Sequence, residues 1–245
     1  MSAAAARGAT CLRYSAAARR SPDRAISQDA HHLEPEAGLF LVADGLGGHD
    51  DGDLASRAVA EIVRRVVSSG QSLEERCRRI EAALHAINTG LRQEAERRHG
   101  DALVGSTVAV LVVGEDEAAG LWVGDSRIYL LRAEALFQLT RDHSFAAELG
   151  VTGPHGQALT RAIGSTDDLR VDGFIMPIEV DDTLLVCSDG VTKALDAACI
   201  VDLLAEPIDG LADRLLARAV VHGGRDDMTA VVVRIEARPT DGEWT

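Results

Sequence analysis

Short runs rich in valine, leucine and isoleucine recur along the chain and predict β-strands. They lie at residues 39–43, 106–113, 120–124, 127–132, 183–188 and 229–235. Short turn-like segments, such as 114–120, separate several of them. Segments of this kind are typical of hairpins, so the strands are predicted to pair in antiparallel sheets.

Three longer segments, 53–67, 73–98 and 209–221, predict amphipathic helices. In the second segment, apolar residues recur at spacings of four, three and four and share one helix face: Ile80, Leu84, Ile87 and Leu91. The helices occur in blocks rather than after every strand. The pattern therefore predicts an α+β fold in which helices lie over antiparallel sheets.

Residues 143–182 are less regular, because glycines and prolines punctuate them. Two interpretations are open. The segment is either an excursion over the functional site that acts as a lid or substrate-selecting flap, or an ordinary connection that carries one short helix.

A single domain is expected over residues 1–245, because no proline-rich or serine-rich linker interrupts the sequence. Its core is expected at about residues 8–236, with a frayed tail at 237–245. The stretch before Asp23 is rich in Ala, Arg and Ser, as in targeting peptides. It lacks the hydrophobic region of about 7–15 residues found in a secretory signal, so no targeting peptide is expected.

The formal net charge is −14, which argues against nonspecific binding to nucleic acid or to anionic membranes. The longest apolar runs are too short to cross a bilayer, so no membrane insertion is expected. The four cysteines form no Cys-x-x-Cys pair and suit a reducing cytoplasm, with Cys187 expected in the core: Cys11, Cys77, Cys187 and Cys199.

Four aspartates stand at the ends of apolar runs, each beside a small residue: Asp44, Asp125, Asp189 and Asp226. Carboxylates gathered at the mouths of buried strands repel one another and favour bound cations. An all-oxygen site suits the hard divalent ions Mg²⁺ and Mn²⁺. A turn aspartate or helix cap is the alternative for Asp44 and Asp189.

Eight motifs, read in order from about residue 24 to 235, resemble those of the metal-dependent PPM (PP2C-type) serine/threonine protein phosphatases in their compact bacterial form. The motifs are Arg24-Ala-Ile-Ser-Gln-Asp29, Val42-Ala-Asp-Gly-Leu-Gly-Gly-His49, Gly105-Ser-Thr107, Val123-Gly-Asp-Ser-Arg127, Leu139-Thr-Arg-Asp-His-Ser144, Leu159-Thr-Arg-Ala-Ile-Gly164, Cys187-Ser-Asp-Gly190 and Gly223-Gly-Arg-Asp-Asp-Met-Thr229.

The resemblance implies a four-layer αββα sandwich, in which two stacked antiparallel sheets are flanked by helices and metal ions lie in a cleft at one edge. It implies that Asp44 bridges two Mn²⁺ or Mg²⁺ ions and that the carbonyl of Gly45 completes one shell. Asp189 and Asp226 would bind the other side of one ion. Asp125 resembles the residue that, with Asp189, binds a third and weaker ion in bacterial members.

The resemblance also makes Arg24 the phosphate-binding residue, because it stands five residues before Asp29. A planar guanidinium can grip two phosphate oxygens at once. The alternative is an ordinary exposed surface arginine. Asp29 is expected to lie behind the metal ligands and to accept hydrogen bonds from metal-bound water.

Several positions depart from the family pattern. Ser27 replaces the usual asparagine. Asp227 also replaces an asparagine, and its extra charge either strengthens cation binding or faces solvent. Leu46 stands where eukaryotic members often have a histidine that donates a proton to the leaving group, so a metal-bound water is expected to be the acid. No chemistry is expected of His49, and His143 is expected to support its loop.

The function that the resemblance implies is hydrolysis of phosphoserine and phosphothreonine on proteins by a bridging, metal-activated hydroxide. The expected partners are phosphorylated proteins, including a bacterial Ser/Thr kinase and its substrates, and the chain is expected to be a monomer. Three alternatives stay open. They are a pseudophosphatase that binds phosphoproteins without turnover, an enzyme for phosphodiesters or small phosphomonoesters, and a sporulation-type relative, which would normally carry a further regulatory or membrane domain.

Overall fold

The computed structural model describes residues 4–7, 10–47, 51–98 and 104–238. Within them, all strand pairing is antiparallel and forms two sheets. The first sheet has the order β1 (Ala4–Arg7), β2 (Thr10–Arg19), β12 (Met228–Ala237), β11 (Thr183–Cys187), β8 (Arg127–Arg132) and β9 (Ala135–Gln138). The second has the order β10 (Asp172–Pro177), β7 (Glu117–Val123), β6 (Val108–Val113), β4 (Leu39–Leu46) and β3 (Asp29–Glu34), and β5 (Gly105–Ser106) pairs with β4.

Six α-helices accompany the sheets in the described residues. They are α1 (Asp51–Val66), α2 (Leu73–Arg98), α3 (Phe145–Leu149), α4 (Asp189–Thr192), α5 (Ala197–Leu204) and α6 (Leu211–Val221). Two 3₁₀ turns lie at Pro35–Ala37 and Pro154–Gln157. No helix in these ranges is both long enough and apolar enough to pass through a membrane.

The two sheets stack face to face, and alternate residues of their strands point into the space between them. Phe40, Leu111, Leu184 and Val231 belong to one buried cluster that draws on both sheets. The intervening residue Leu185 belongs instead to a cluster on the outer face of the first sheet. Strands buried on both faces read as continuous apolar runs, which explains why the sequence pattern marked them clearly.

Helices cover both outer faces. Val59 of α1 and Ile80 of α2 pack with β4 and β6 on the second sheet. Ile200 of α5 and Leu215 of α6 pack with β11 and β12 on the first sheet. The four-layer αββα sandwich is therefore confirmed.

The structure corrects several element boundaries. Residues 117–120 belong to β7 rather than to a turn, α1 begins at Asp51 rather than at residue 53, and α6 begins at Leu211 rather than at residue 209. Residues 172–177, placed in the irregular segment, form the edge strand β10. The last strand extends to Ala237.

Two sequence expectations lie outside the described residues. His49 belongs to the stretch 48–50, and all of the expected tail except residues 237 and 238 lies beyond the described chain. The stretch that resembles a targeting peptide includes β2, which pairs with β12 inside the first sheet.

Candidate active site

The predicted acidic residues lie where strands of the two sheets end. Asp44 is near the end of β4 and Asp29 begins β3, where the two residues are direct cross-strand partners. Asp125 follows β7, Asp189 follows β11 at the start of α4, and Asp226 precedes β12. The fold thus brings together, at one end of the sandwich, five carboxylates that are distant from one another in sequence.

The backbone of Asp44 is fixed by a short segment between β5 and β6. Its N–H donates to Thr107 Oγ1 at 3.1 Å, and its carbonyl accepts from Thr107 N–H at 2.8 Å. The Thr107 hydroxyl also lies 2.7 Å from the hydroxyl of Ser126, beside Asp125. These contacts give a structural role to the Gly105-Ser-Thr107 motif and link the two strand ends that carry Asp44 and Asp125.

The carboxylates influence one another strongly. Burial and the negative charges of Asp29, Asp189, Asp125 and Asp226 raise the pKa of Asp44 well above its usual range. The geometry accounts for this repulsion, because Asp29 and Asp44 are cross-strand partners and Lys193 contacts both Asp189 and Asp226.

Two neighbouring carboxylates show the same effect. Burial raises the pKa of Asp125 to about 7, with Asp189 and Asp142 adding repulsion. Burial raises the pKa of Asp29 to about 6, although a hydrogen bond from Ser188 Oγ at 2.7 Å favours its ionised form. The site therefore concentrates negative charge that favours cations.

Two basic side chains lie among these acids. Lys193, the only lysine in the sequence, contacts the carboxylate of Asp189, and its Nζ lies 3.5 Å from Asp226 Oδ2. Arg24 Nη1 lies 3.1 Å from Asp226 Oδ1. The sequence interpretation overlooked Lys193, although its uniqueness and its spacing of four residues after Asp189 were available signals.

Asp227 does not face solvent, so that alternative is wrong. It is only 2% exposed, and its carboxylate accepts hydrogen bonds from Ser21 N–H, Gln28 N–H and Arg24 Nη1. Burial opposes ionisation, but these three donors together lower the pKa of Asp227. The Asp227 carboxylate therefore binds the loop that contains Arg24.

The donor set fits divalent cations. One carboxylate oxygen of Asp29 and one of Asp189 are buried without a hydrogen-bond partner, which is costly unless a cation or water satisfies them. Among the described residues, however, no three His, Cys, Asp or Glu side chains stand close enough together to hold an ion as they are placed. Arg24 and Lys193 lie against Asp226 in this arrangement.

The irregular segment 143–182 borders the site through its first part. A cavity of about 270 Å³ lies between Asp125, Asp189 and Lys193 on one side and Ser144 and Gly156 on the other. The segment contains the short helix α3 and a 3₁₀ turn. Both interpretations of this segment find support, since it carries a short helix and also borders the acidic cleft.

His143 supports this segment from inside, as expected. Its side chain is 1% exposed, and its Nδ1 accepts the N–H of Gly124 at 3.0 Å. Nε2 must therefore carry the proton, and it donates to Asp172 Oδ2 at 3.2 Å. The imidazole thus joins the turn before Asp125 to the edge strand β10.

Comparison with known proteins agrees with the fold. The model of the family described as protein phosphatase 2C matches residues 18–221. The serine/threonine phosphatase stp of Listeria innocua is 31% identical over 227 residues, which cover 83% of this chain and 90% of that protein.

Solved structures show the same architecture. PppA, described as a key regulatory component of T6SS in Pseudomonas aeruginosa, is 32% identical with a TM-score of 0.87, and the match covers 95% of this chain and 100% of that one. The catalytic domain of the serine/threonine protein phosphatase PstP, in complex with two manganese ions, is 27% identical with a TM-score of 0.80, covering 92% and 98%.

These matches span most of the chain. The chain therefore belongs to the protein phosphatase 2C family. Within this family it is a metal-dependent serine/threonine protein phosphatase of the compact bacterial form.

Proposed function

We propose that this phosphatase removes phosphate from phosphoserine and phosphothreonine at the cleft formed by the strand ends, and that it opposes a Ser/Thr kinase. The contact of Lys193 with both Asp189 and Asp226, beside a cavity that Asp125 and Asp189 line, is the observation that carries the location of the site. The kinase itself would be recognised through its phosphorylated residues.

Asp44, Asp189, Asp226 and the carbonyl of Gly45 are the proposed ligands of two Mn²⁺ or Mg²⁺ ions, and Asp125 with Asp189 is the proposed site of a third. When bound, the paired ions supply Lewis-acid activation of a water nucleophile at neutral pH. The chain's own contribution is to gather several carboxylates at one place, where a bound cation would favour their ionised form.

Arg24 is proposed to hold the phosphate. Its Nη1 is engaged by Asp227 and Asp226, whereas Nη2 has no hydrogen-bond partner in the described part of the chain. A guanidinium fixed at one nitrogen can present the other to phosphate oxygens and offset the charge that develops during transfer. Arg24 also borders a cavity of about 350 Å³, lined further by Gln28, Gly47 and Asp53, with room for a substrate segment.

Two residues are proposed to take no part in proton transfer. Leu46 has no ionisable group, and His143 directs its N–H towards Asp172 from a buried position. Asp29 is proposed to stand behind Asp44, because Ser188 holds one of its oxygens at 2.7 Å while the other is unsatisfied. It can thus accept a hydrogen bond from a water in the cleft.

All four cysteines are free, which suits a reducing compartment and supports action in the cytoplasm. The monomeric state stays a prediction, which size-exclusion chromatography would check.

The decisive experiment measures phosphate release from a phosphothreonine peptide by the native chain and by Asp44→Asn, in Mn²⁺ and in chelator. We expect release only from the native chain with metal. Equal rates for the two proteins would refute the assignment of Asp44.

A second comparison separates the alternatives by using p-nitrophenyl phosphate, its bis ester and the peptide. A preference for the bis ester would favour a phosphodiesterase. Tight peptide binding without turnover would favour a pseudophosphatase.

A further inference from the structure

The two adjacent aspartates before β12 point in different directions. Asp226 has a 37% exposed side chain and lies beside Lys193 at the cleft. Asp227 is turned into the protein, with a side chain that is 1% exposed. The inward direction brings Asp227 against the loop between β2 and β3, whose three contacting residues lie 199 to 206 positions away in sequence.

The Asp227 carboxylate is satisfied entirely by that loop. Oδ1 accepts the N–H of Ser21 at 2.7 Å, while Oδ2 accepts the N–H of Gln28 at 2.8 Å and Arg24 Nη1 at 2.6 Å. The three donors come from the two ends and the middle of the loop. A single buried charge thus closes the loop and holds the side chain of Arg24.

We propose that Asp227 is a positioning residue for the phosphatase reaction, which fixes the guanidinium of Arg24 in the orientation that receives the substrate phosphate. This inference rests on the proposed role of Arg24. It concerns the departure at position 227, where the family usually has asparagine.

Asparagine cannot make the same contacts. Its side chain has one acceptor oxygen and one NH₂ group, which is only a donor. Whichever way the amide is turned, the NH₂ group would face either Ser21 N–H or the pair formed by Gln28 N–H and Arg24. The site is therefore built for a carboxylate, which accepts on both oxygens.

The guanidinium also needs this anchor because little else in the described residues holds it. The Arg24 side chain is 38% exposed, and its other close partner is Asp226 at 3.1 Å, which is itself a proposed metal ligand. With a cation bound at Asp226, Asp227 would be the remaining fixed partner of Arg24. A preoriented guanidinium loses less conformational freedom when it binds phosphate.

The test is a double-mutant cycle with Arg24→Ala, Asp227→Asn and the double variant, assayed on a phosphothreonine peptide in saturating Mn²⁺. Arg24→Ala is expected to raise KM, and Asp227→Asn to raise it about 5–10-fold with kcat changed less than about threefold. The double variant is expected to match Arg24→Ala, because Asp227 acts through Arg24. The inhibition constant of inorganic phosphate, used as a competitive inhibitor, should rise by the same factors.

Asp182→Asn is the matched control. Asp182 is an equally buried carboxylate whose two oxygens bind Arg132 at 2.7 Å and 2.6 Å and which also accepts Glu179 N–H. The pair involves β8 and the turn before β11, away from the proposed site residues. This variant should lose thermal stability while its KM stays within about twofold of the native value.

The outcomes distinguish the phosphate-binding role of Arg24 from the positioning role of Asp227. If Arg24→Ala leaves KM unchanged, the phosphate-binding role of Arg24 fails. If Arg24→Ala raises KM but Asp227→Asn does not, or if their effects multiply in the double variant, only the positioning role of Asp227 fails. A rise in the Mn²⁺ requirement of Asp227→Asn without a rise in KM would equally overturn it, since Asp227 would then act through the metals.

A measurement on the native chain covers the case in which Asp227→Asn does not fold. The guanidinium protons of Arg24, assigned in NMR spectra by comparison with Arg24→Lys, should show hindered rotation and slow exchange with solvent. Arg78, whose side chain is 70% exposed, is the internal reference. Equal exchange at the two arginines would refute a fixed guanidinium.

Discussion

Asp29 and Asp44 are direct cross-strand partners in the β3–β4 pair, at the end of the sheet where the other acidic residues gather. Like charges placed directly opposite each other destabilise a sheet. The repulsion from Asp29 is the largest charge effect on Asp44 and acts together with burial to raise its pKa. The active site is thus a place where the metal-free fold is under electrostatic strain.

Asp44→Asn should therefore abolish activity and stabilise the metal-free protein. We expect phosphopeptide hydrolysis to fall at least about a thousandfold, because a proposed shared ligand of both ions is lost. In chelator, removal of one repelling charge should raise Tm by about 2–4 °C, the change that about 1 kcal/mol produces in a domain of this size. Scanning calorimetry measures this shift.

Asp202→Asn, an exposed position on α5, is the control for a general effect of lowering net charge. It should leave both Tm in chelator and activity unchanged. A lower Tm for Asp44→Asn in chelator would contradict the interpretation that these carboxylates repel one another in the metal-free fold.

Lys193 is expected to compete with metal ions. Its ammonium group contacts Asp189 and lies 3.5 Å from Asp226, and its positive charge lowers the raised pKa of Asp125. Lys193→Met removes the charge but keeps most of the length. We expect the Mn²⁺ concentration for half-maximal activity to fall about 3–10-fold. A change of this size is expected because one positive charge near the site, partly screened by solvent, no longer repels the cations.

The matched control is Arg170→Met, which removes one positive charge from a side chain that is 76% exposed. It should leave the Mn²⁺ requirement unchanged. Counting bound manganese by elemental analysis adds a separate readout, because Lys193→Met should favour occupancy of the third position beside Asp125. An unchanged or higher Mn²⁺ requirement in Lys193→Met would show that the ammonium does not compete.

The strands that the sequence pattern predicted best are buried on both faces. Residues 127–132 were predicted with the bounds that β8 has, because apolar residues fill it without interruption. By contrast, β2 (Thr10–Arg19) was missed, since its many alanines have little strand preference. It becomes a strand through pairing with β12 and through α6, whose Ala212 N–H donates to Ser15 Oγ at 3.1 Å.

The site residues divide in the same way, into those that local sequence features predict and those that only the fold reveals. The acidic residues could be predicted because each stands beside a strand end and a small residue, which are local features. The partnership of Arg24 with Asp227 joins positions 203 residues apart, and no periodicity or spacing within the sequence reports such a contact. Asp227 could be singled out from the sequence because it departs from the family pattern. Only the fold shows which donors form hydrogen bonds with its carboxylate.

His143 should make stability depend on pH. Burial and the nearby charge of Arg161 lower its pKa, while Asp172 and Glu148 oppose this to a smaller extent. In the unfolded chain histidine binds a proton near pH 6.5, so the unfolded state gains protons first as pH falls. The contribution is thus fully present above about pH 6.5 and is lost as pH falls towards the lower folded pKa.

The His143→Gln variant isolates this effect, because glutamine can still accept the N–H of Gly124 but does not titrate. Between pH 7 and pH 5, Tm should fall more steeply for the native chain than for the variant. Above pH 7 the two curves should run parallel. Parallel curves throughout the range would exclude His143 as the source of the dependence.

Gly190→Ala should be strongly destabilising, because the strand and helix that carry the site pack backbone against backbone at this position. A Cβ atom on Gly190 would lie 2.0 Å from the carbonyl oxygen of Asp227. Relief requires α4 or the start of β12 to move, and these elements carry Asp189 and Asp226. We expect a loss of about 3 kcal/mol, or roughly 6–12 °C in Tm.

Gly70→Ala is the matched control, since a Cβ atom there would meet nothing within 4 Å. It should change the free energy of unfolding by less than about 0.5 kcal/mol, as measured by urea titration. If Gly190→Ala proved equally mild while keeping full activity, the close approach of α4 to the residues before β12 would be wrong. Because that approach sets the spacing between Asp189 and Asp226, the variant should also raise the Mn²⁺ requirement in whatever fraction folds.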